Sequence, residues 1–409
     1  MRKVAAIWIL ALVVLVPSSG YAAAQQQNCT GKSGTDWDTQ IAACTDVIKT
    51  GKGQGKDLAW AFGNRGNAYF AKAQYDRAIQ DLDQAIKLDP DHADAYSNRG
   101  SAYFAKAQYD RAIQDFNQAI KLDPNLAMAF SNRGSAYSRQ GQYDRAIQDL
   151  DQAIKLDPNY AKAFAGRGNA YYGKARYDRS IRDLDQAIEL DPTFALAFNW
   201  RGNAYDDKGE HDRAIQDYDQ AIKLNPNLAT AFNDRGLAYY RKAEYDRAIE
   251  DLDQAIKLDP TYAAAFDNRG SSYDDKGQHD RAMQDLDHAI KLDPTYAEAF
   301  NDRCWSRTIV GRELDQALKD CNESLRLRPN NGDTFDTRGF TYFKLDQYDN
   351  AIADFDTVLK LNPKVATSLY GRGLAKQRKG DVAGGEEDIV AAKTLDPKIA
   401  DKLAGYGVK

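Results

Sequence analysis

The sequence predicts an all-α solenoid built from about ten stacked helix pairs, and three observations carry that prediction. Prolines punctuate the chain at a fixed step: Pro90, Pro124, Pro158, Pro192, Pro226, Pro260 and Pro294 lie 34 residues apart. Pro329 arrives one residue late, after which Pro363 and Pro397 restore the step. A period of this length marks a helical repeat array. Between prolines, apolar and small residues recur at helical spacing in two runs, such as Tyr96, Gly100 and Tyr103 followed by Ala112, Phe116 and Ala119. Each unit also carries its own helix signals: Asp110 reads as the N-cap of the second helix, and the LDP ending stops it.

The chain opens with MRKVAAIWILALVVLVPSSGYAAA. Arg2 and Lys3 precede an apolar run from Val4 to Val16, and small residues follow. That arrangement is a secretory leader, residues 1–24, with cleavage expected after Ala24. The apolar run is too short to span a bilayer comfortably. Residues 25–58 hold a half-repeat, DWDTQIAACTDVIKT, expected to cap the array. Ten units then fill 59–397, and KIADKLAGYGV within 398–409 reads as the opposite cap. A lone helix pair cannot bury its apolar face, so stability here comes from stacking.

The spacing within each unit closely resembles the tetratricopeptide repeat. Its expected glycine stands at 66, 100, 134, 168, 202, 236, 270, 339 and 373, and the facing small residue at 78, 112, 146, 180, 214, 248, 282, 317, 351 and 385. The resemblance covers residues 59–397. It implies antiparallel helix pairs in a right-handed superhelix, with ligands held against the first helices in a concave groove.

Two polar positions recur without exception. Arginine occupies positions 65, 99, 133, 167, 201, 235, 269, 303, 338 and 372, where the family commonly has an apolar residue. Aspartate occupies 81, 115, 149, 183, 217, 251, 285, 320, 354 and 388. Facing positions across a helix pair predict an Arg–Asp pair in every repeat or between neighbours, with the arginine stem lying on apolar surface. A ligand seldom needs one residue in every unit, ends included, so the arginines are assigned to the frame.

The four cysteines form two sets. Cys304 replaces a repeat glycine and Cys321 the large apolar residue facing it; Cys44 sits at the second position in the half-repeat, with Cys29 upstream. An even count in an exported chain predicts disulfides Cys29–Cys44 and Cys304–Cys321, each worth roughly 3 kcal/mol.

Carried onto the groove, the resemblance places Asn64, Asn98, Asn132 and Asn268 at one level, with Asp234 and Asp302, and Asn67, Asn169 and Asn203 a turn further on. Rings stand close by: Trp60, Phe70, Phe104, Tyr172, Trp200, Tyr240, Trp305 and Phe343. Asparagine amides both donate to and accept from a peptide backbone. The acidic doublets Asp206–Asp207 and Asp274–Asp275 would favour a cationic ligand, with contacts weakened by salt.

Hydrophobic content is 43% and net charge −5, or −7 without Arg2 and Lys3. No basic tract points to nucleic acid. The basic clamp by which some family members hold acidic chaperone termini lacks its residues, Lys162 being isolated. No nucleophile–base set, phosphate loop or metal cluster stands outside the repeat, so neither catalysis nor a cofactor is expected. The leading function is an exported, non-catalytic scaffold gripping a peptide or a partner's helix. The alternatives are a carbohydrate-binding module and a structural spacer.

Overall fold

The computed structural model describes residues 26–31, 35–50 and 55–408. The leader and its expected cleavage point lie outside the described residues. Among those described, every regular element is a helix. A single turn, α1 (26–29), precedes α2 (Trp37–Thr50), and helix pairs follow from α3 (Lys56–Ala71) and α4 (Tyr75–Leu88) onward. The chain divides into two compact units, residues 1–192 and 193–409.

In the first unit the first helices are α3, α5 (Ala93–Ala105), α7 (Ala127–Arg139) and α9 (Ala161–Gly173); their partners are α4, α6 (Tyr109–Leu122), α8 (Tyr143–Leu156) and α10 (Tyr177–Leu190). In the second unit the first helices are α11 (Ala195–Asp207), α13 (Ala229–Arg241), α15 (Ala263–Asp275), α17 (Ala297–Val310), α19 (Gly332–Lys344) and α21 (Ala366–Arg378). Their partners are α12 (His211–Leu224), α14 (Tyr245–Leu258), α16 (His279–Leu292), α18 (Leu314–Leu327), α20 (Tyr348–Leu361) and α22 (Val382–Leu395), and α23 (Ile399–Gly405) closes the chain. Within each unit consecutive first helices also touch one another, as α5 touches α7 and α15 touches α17, while consecutive second helices do not. The first helices therefore form the inner row of each stack.

Local chemistry explains the turns. The N–H of Asp123 closes α6 on Ala119 O at 2.8 Å, and its carboxylate accepts the N–H of Asn125 at 2.9 Å, just past Pro124. Between α5 and α6, Ala107 sits at φ 55° while the N–H of Gln108 reaches back to Tyr103 O at 2.9 Å. Asp110 does not cap α6. Gln108 holds that position without a side-chain bond, and Asp110, one residue inside the helix, accepts from Gln140 Nε2 of the next repeat at 2.8 Å. Equivalent aspartates hold lysines one repeat on, as Asp212 holds Lys242 at 2.6 Å. The cap aspartate of the sequence pattern is thus an inter-repeat strap.

The ten Arg–Asp pairs all form, each a fork with Nε and Nη2 at 2.6–3.0 Å from the two carboxylate oxygens. The third nitrogen reaches the preceding repeat: Arg99 Nη1 bonds Asp83 at 2.6 Å, Arg133 Asn117 at 2.6 Å and Arg303 Asp287 at 2.7 Å. Nine of the ten guanidiniums also lie about 5.5 Å from a ring one turn earlier, as Arg167 does with Phe164, and Arg372 has Leu369 there instead. Pairing is therefore both within and between repeats. The aspartates are almost fully buried, so removing an arginine would strand a buried charge and cost more than an exposed pair is worth.

Both cysteine pairs are bonded, Cys29 to Cys44 and Cys304 to Cys321. The second has a packing logic. A Cβ added at Gly100 would sit 2.8 Å from the Phe116 ring, so the glycine exists to admit the large side chain. In the eighth repeat both partners shrink or grow to cysteine, and a covalent bridge replaces that contact.

Candidate functional site

The inner row of the first unit holds a recess of about 330 Å³. Trp60, Gly63, Asn64 and Asn67 from α3 form one wall; His92, Asp94, Ala95 and Asn98 at the start of α5 form the other, and Met128 of α7 reaches in. Among the described residues the side chains of Asn64, Asn67 and Asn98 make no hydrogen bond within the chain, and His92 Nδ1 is buried without a partner. Four of the expected groove residues (Trp60, Asn64, Asn67 and Asn98) thus converge on one cavity.

The remaining asparagines have other surroundings. Asn132 donates to Ser101 Oγ at 3.2 Å, and Asn169 is half-buried on α9. In the second unit the amides close on one another. Asn268 donates to Asn233 at 3.0 Å, Asn233 to Asp234 at 3.0 Å, and Asn199 to both Asp234 at 2.7 Å and Asn203 at 3.3 Å. Tyr218 completes the run by donating to Asn203 at 2.8 Å. This network crosslinks α11, α13 and α15 and leaves Asn203 and Asn268 engaged with neighbours. Phe70, Phe104, Tyr172 and Tyr240 each lie 5.5–5.8 Å from the ring that opens the following helix, Tyr75, Tyr109, Tyr177 and Tyr245. They form the corners of helix pairs. Trp200 packs edge-on to Phe194 at 6.4 Å.

The acidic doublets differ from each other. Asp206 accepts from His211 Nδ1 at 2.6 Å and from Arg241, which also reaches Asp207 at 3.3 Å. Asp274 accepts from His279 Nδ1 at 2.9 Å and Ser306 Oγ at 3.0 Å, yet burial raises its pKa to about 6. Asp275 stands beside Tyr240, and burial together with that carboxylate pushes the phenol up. Each histidine is thus the partner of the buried aspartate five residues before it, a pairing visible only in retrospect as the shared stretch Asp-Asp-Lys-Gly-x-His.

The C-terminal segment is more than an end cap. Ile399, Leu403 and Val408 are buried in one cluster with Phe340, Phe343 and Phe355. Tyr406 reaches back to α17, its ring 5.2 Å from Trp305, and its carbonyl accepts from Lys344 Nζ at 2.8 Å. Burial lowers the pKa of Lys344. The final turn therefore covers part of the inner row from the tenth repeat to the eighth. The lysine that holds it sits at an ordinary repeat position and the tyrosine lies beyond the last repeat, so sequence periodicity offered no signal for it.

Family models described as TPR repeat match residues 66–107, 100–141, 135–174, 168–209, 202–243 and 339–380, and two further tetratricopeptide models match 229–262 and 263–296. The chain belongs to the tetratricopeptide repeat family. Among solved structures, this tetratricopeptide chain is similar to the APC/C hetero-tetramer Cut9-Hcn1 over 96% of both chains, with TM-score 0.58 and 12% identity. A tetratricopeptide repeat protein from Parabacteroides merdae matches over 62% of this chain and 99% of its own (TM-score 0.52, 18% identity), and a human IFIT1 dimer with m7Gppp-AAAA over 87% and 93% (0.54, 16%). At these identities the likeness is one of fold. No curated protein matches the sequence.

Tetratricopeptide arrays are typically non-catalytic scaffolds for protein–protein contact, and the matched models include no catalytic family. Among the described residues no group of three or more His, Cys, Asp or Glu side chains could hold a metal ion, and no helix is long and apolar enough to cross a membrane.

Proposed function

We propose that this tetratricopeptide protein is an exported, non-catalytic scaffold that grips an extended segment of a partner protein along its inner row of first helices. The observation that carries the reading is the recess at α3 and α5, where three amides without internal partners stand beside the half-buried Trp60 ring. An amide satisfies the N–H and C=O of an extended backbone in pairs, and a tryptophan face gives a side chain an apolar anchor. Two disulfides fit an oxidising compartment.

A peptide-display selection tests this. The intact chain should enrich peptides that a variant with Asn64→Ala, Asn67→Ala and Asn98→Ala together no longer retains, at an unchanged melting temperature. Equal retention by the variant would overturn the reading. A sugar ligand would reveal itself differently, through retention on polysaccharide that depends on Trp60 and not on the three amides. Fusing residues 1–24 to a reporter that is active only after export tests the leader.

A further inference from the structure

Enclosed aspartates in the second unit fall into three classes, of which Asp206 and Asp274 form one, each beside its histidine. Those of the frame, from Asp217 to Asp388, each hold an arginine fork. Four others, Asp267 buried and Asp234, Asp302 and Asp336 half-buried, lie one per helix on α13, α15, α17 and α19, and among the described residues they meet only neutral donors. Asp234 accepts from Asn199 and Asn233. Asp302 accepts from Ser271 Oγ at 2.9 Å and Asn301 Nδ2 at 3.0 Å, and Asp336 from Ser368 Oγ. Asp267, only 4% exposed, accepts from Tyr296 at 3.1 Å through Oδ2, while its Oδ1 is buried with no donor at all.

The charges around these groups make matters worse for them. Asp302 acts on Asp267, and Glu298 and Asp333 act on Asp302. Glu298 already has its cation, Arg328. Burying a carboxylate without a countercharge is expensive, and an orphaned buried oxygen calls for a reason. Shortage of arginine is not the reason, since the same helices each spend one on the frame. The fold withholds a cation from one carboxylate on each of four consecutive first helices.

We infer that Asp234, Asp267, Asp302 and Asp336 form an acidic strip that receives a cationic segment of a partner protein, whose lysine or arginine side chains supply the missing countercharge. Packed helices lie roughly 8–10 Å apart, and an extended chain advances about 3.3 Å per residue. One carboxylate per repeat therefore matches a basic residue at about every third position, over about ten residues. The strip belongs to the second unit and borrows from the scaffold reading only that the ligand is a polypeptide. Failure at the amide recess of the first unit would leave it standing.

The test uses the intact chain and a fluorescein-labelled decapeptide, KAAKAAKAAK, read by anisotropy. EAAEAAEAAE and spermine serve as competing probes. The variant Asp267→Asn, Asp302→Asn, Asp336→Asn should weaken binding of the lysine peptide at least tenfold and flatten its salt dependence. It should melt no lower than the parent, because amides relieve uncompensated charge. A control with the exposed Asp91, Asp280 and Asp401 changed to Asn, equal in net charge, should bind as the parent does. Three results each overturn the proposal: equal loss in the control, no loss in the buried-site variant, or spermine binding as tightly as the peptide.

Discussion

The inner row of the first unit presents amides without internal partners, with a single carboxylate, Asp94, lining their recess, and that of the second presents carboxylates without cations, although one frame supports both. In the first unit Asn64, Asn67 and Asn98 face a recess with no internal partner. In the second, amides of the same type lock onto Asp234 and onto each other, and carboxylates without cations take the inner positions of α13 to α19. The frame explains how this divergence is tolerated. Arg–Asp forks, the Gly–Leu or Gly–Phe contact and the lysine straps all lie between the helices of a pair or between repeats, so an inner side chain can change without disturbing them. On the function proposed above, stability and recognition would occupy different faces of the same helix.

The comparison is broken most severely through the frame. Arg167→Ala should cost about 3 kcal/mol by stranding Asp183, with peptide retention unchanged; denaturant unfolding measures it. Loss of retention without loss of stability would return that arginine to the ligand surface. Reducing Cys304–Cys321 should cost roughly 3 kcal/mol. The double change Cys304→Gly with Cys321→Leu should make the eighth repeat indifferent to reductant, since it restores the packing seen at Gly66 and Leu82.

Acidity sharpens the comparison on the second unit. Burial raises the Asp336 carboxyl to about 6, against an ordinary value of about 3.9. Between those values the folded chain holds the proton and the unfolded chain does not. The stabilising contribution is therefore full below about pH 4 and is lost as pH rises through 6. Asp336→Asn should flatten that slope, a difference of roughly 3 kcal/mol across the window. No change in slope would mean the carboxylate is better solvated than the structure places it.

Paired asparagines give a finer test. Asn268→Ala should lose about 1 kcal/mol by leaving Asn233 Oδ1 without its donor, whereas Asn98→Ala should leave melting unchanged and reduce peptide retention. The smallest effect belongs to the turns: Ala107→Gly relieves a left-handed residue and should stabilise by less than about 1 kcal/mol, because glycine also gains freedom in the unfolded chain.

Sequence alone determined the repeat, its helix pairs and the Arg–Asp register, because each depends on spacing within one 34-residue unit and a helix turns that spacing into a face. The tertiary structure decided everything set by neighbours across units of the repeat. It alone separated the amides of Asn64, Asn67 and Asn98 from the engaged ones of Asn132, Asn203 and Asn268, and turned Asp110 from a cap into a strap. It also tied Asp206 to His211 and Arg241, and brought Tyr406 back to Trp305 from a hundred residues away. Periodicity states which way a side chain points; only packing between adjacent helices determines what it meets there, and whether that neighbour cancels its charge.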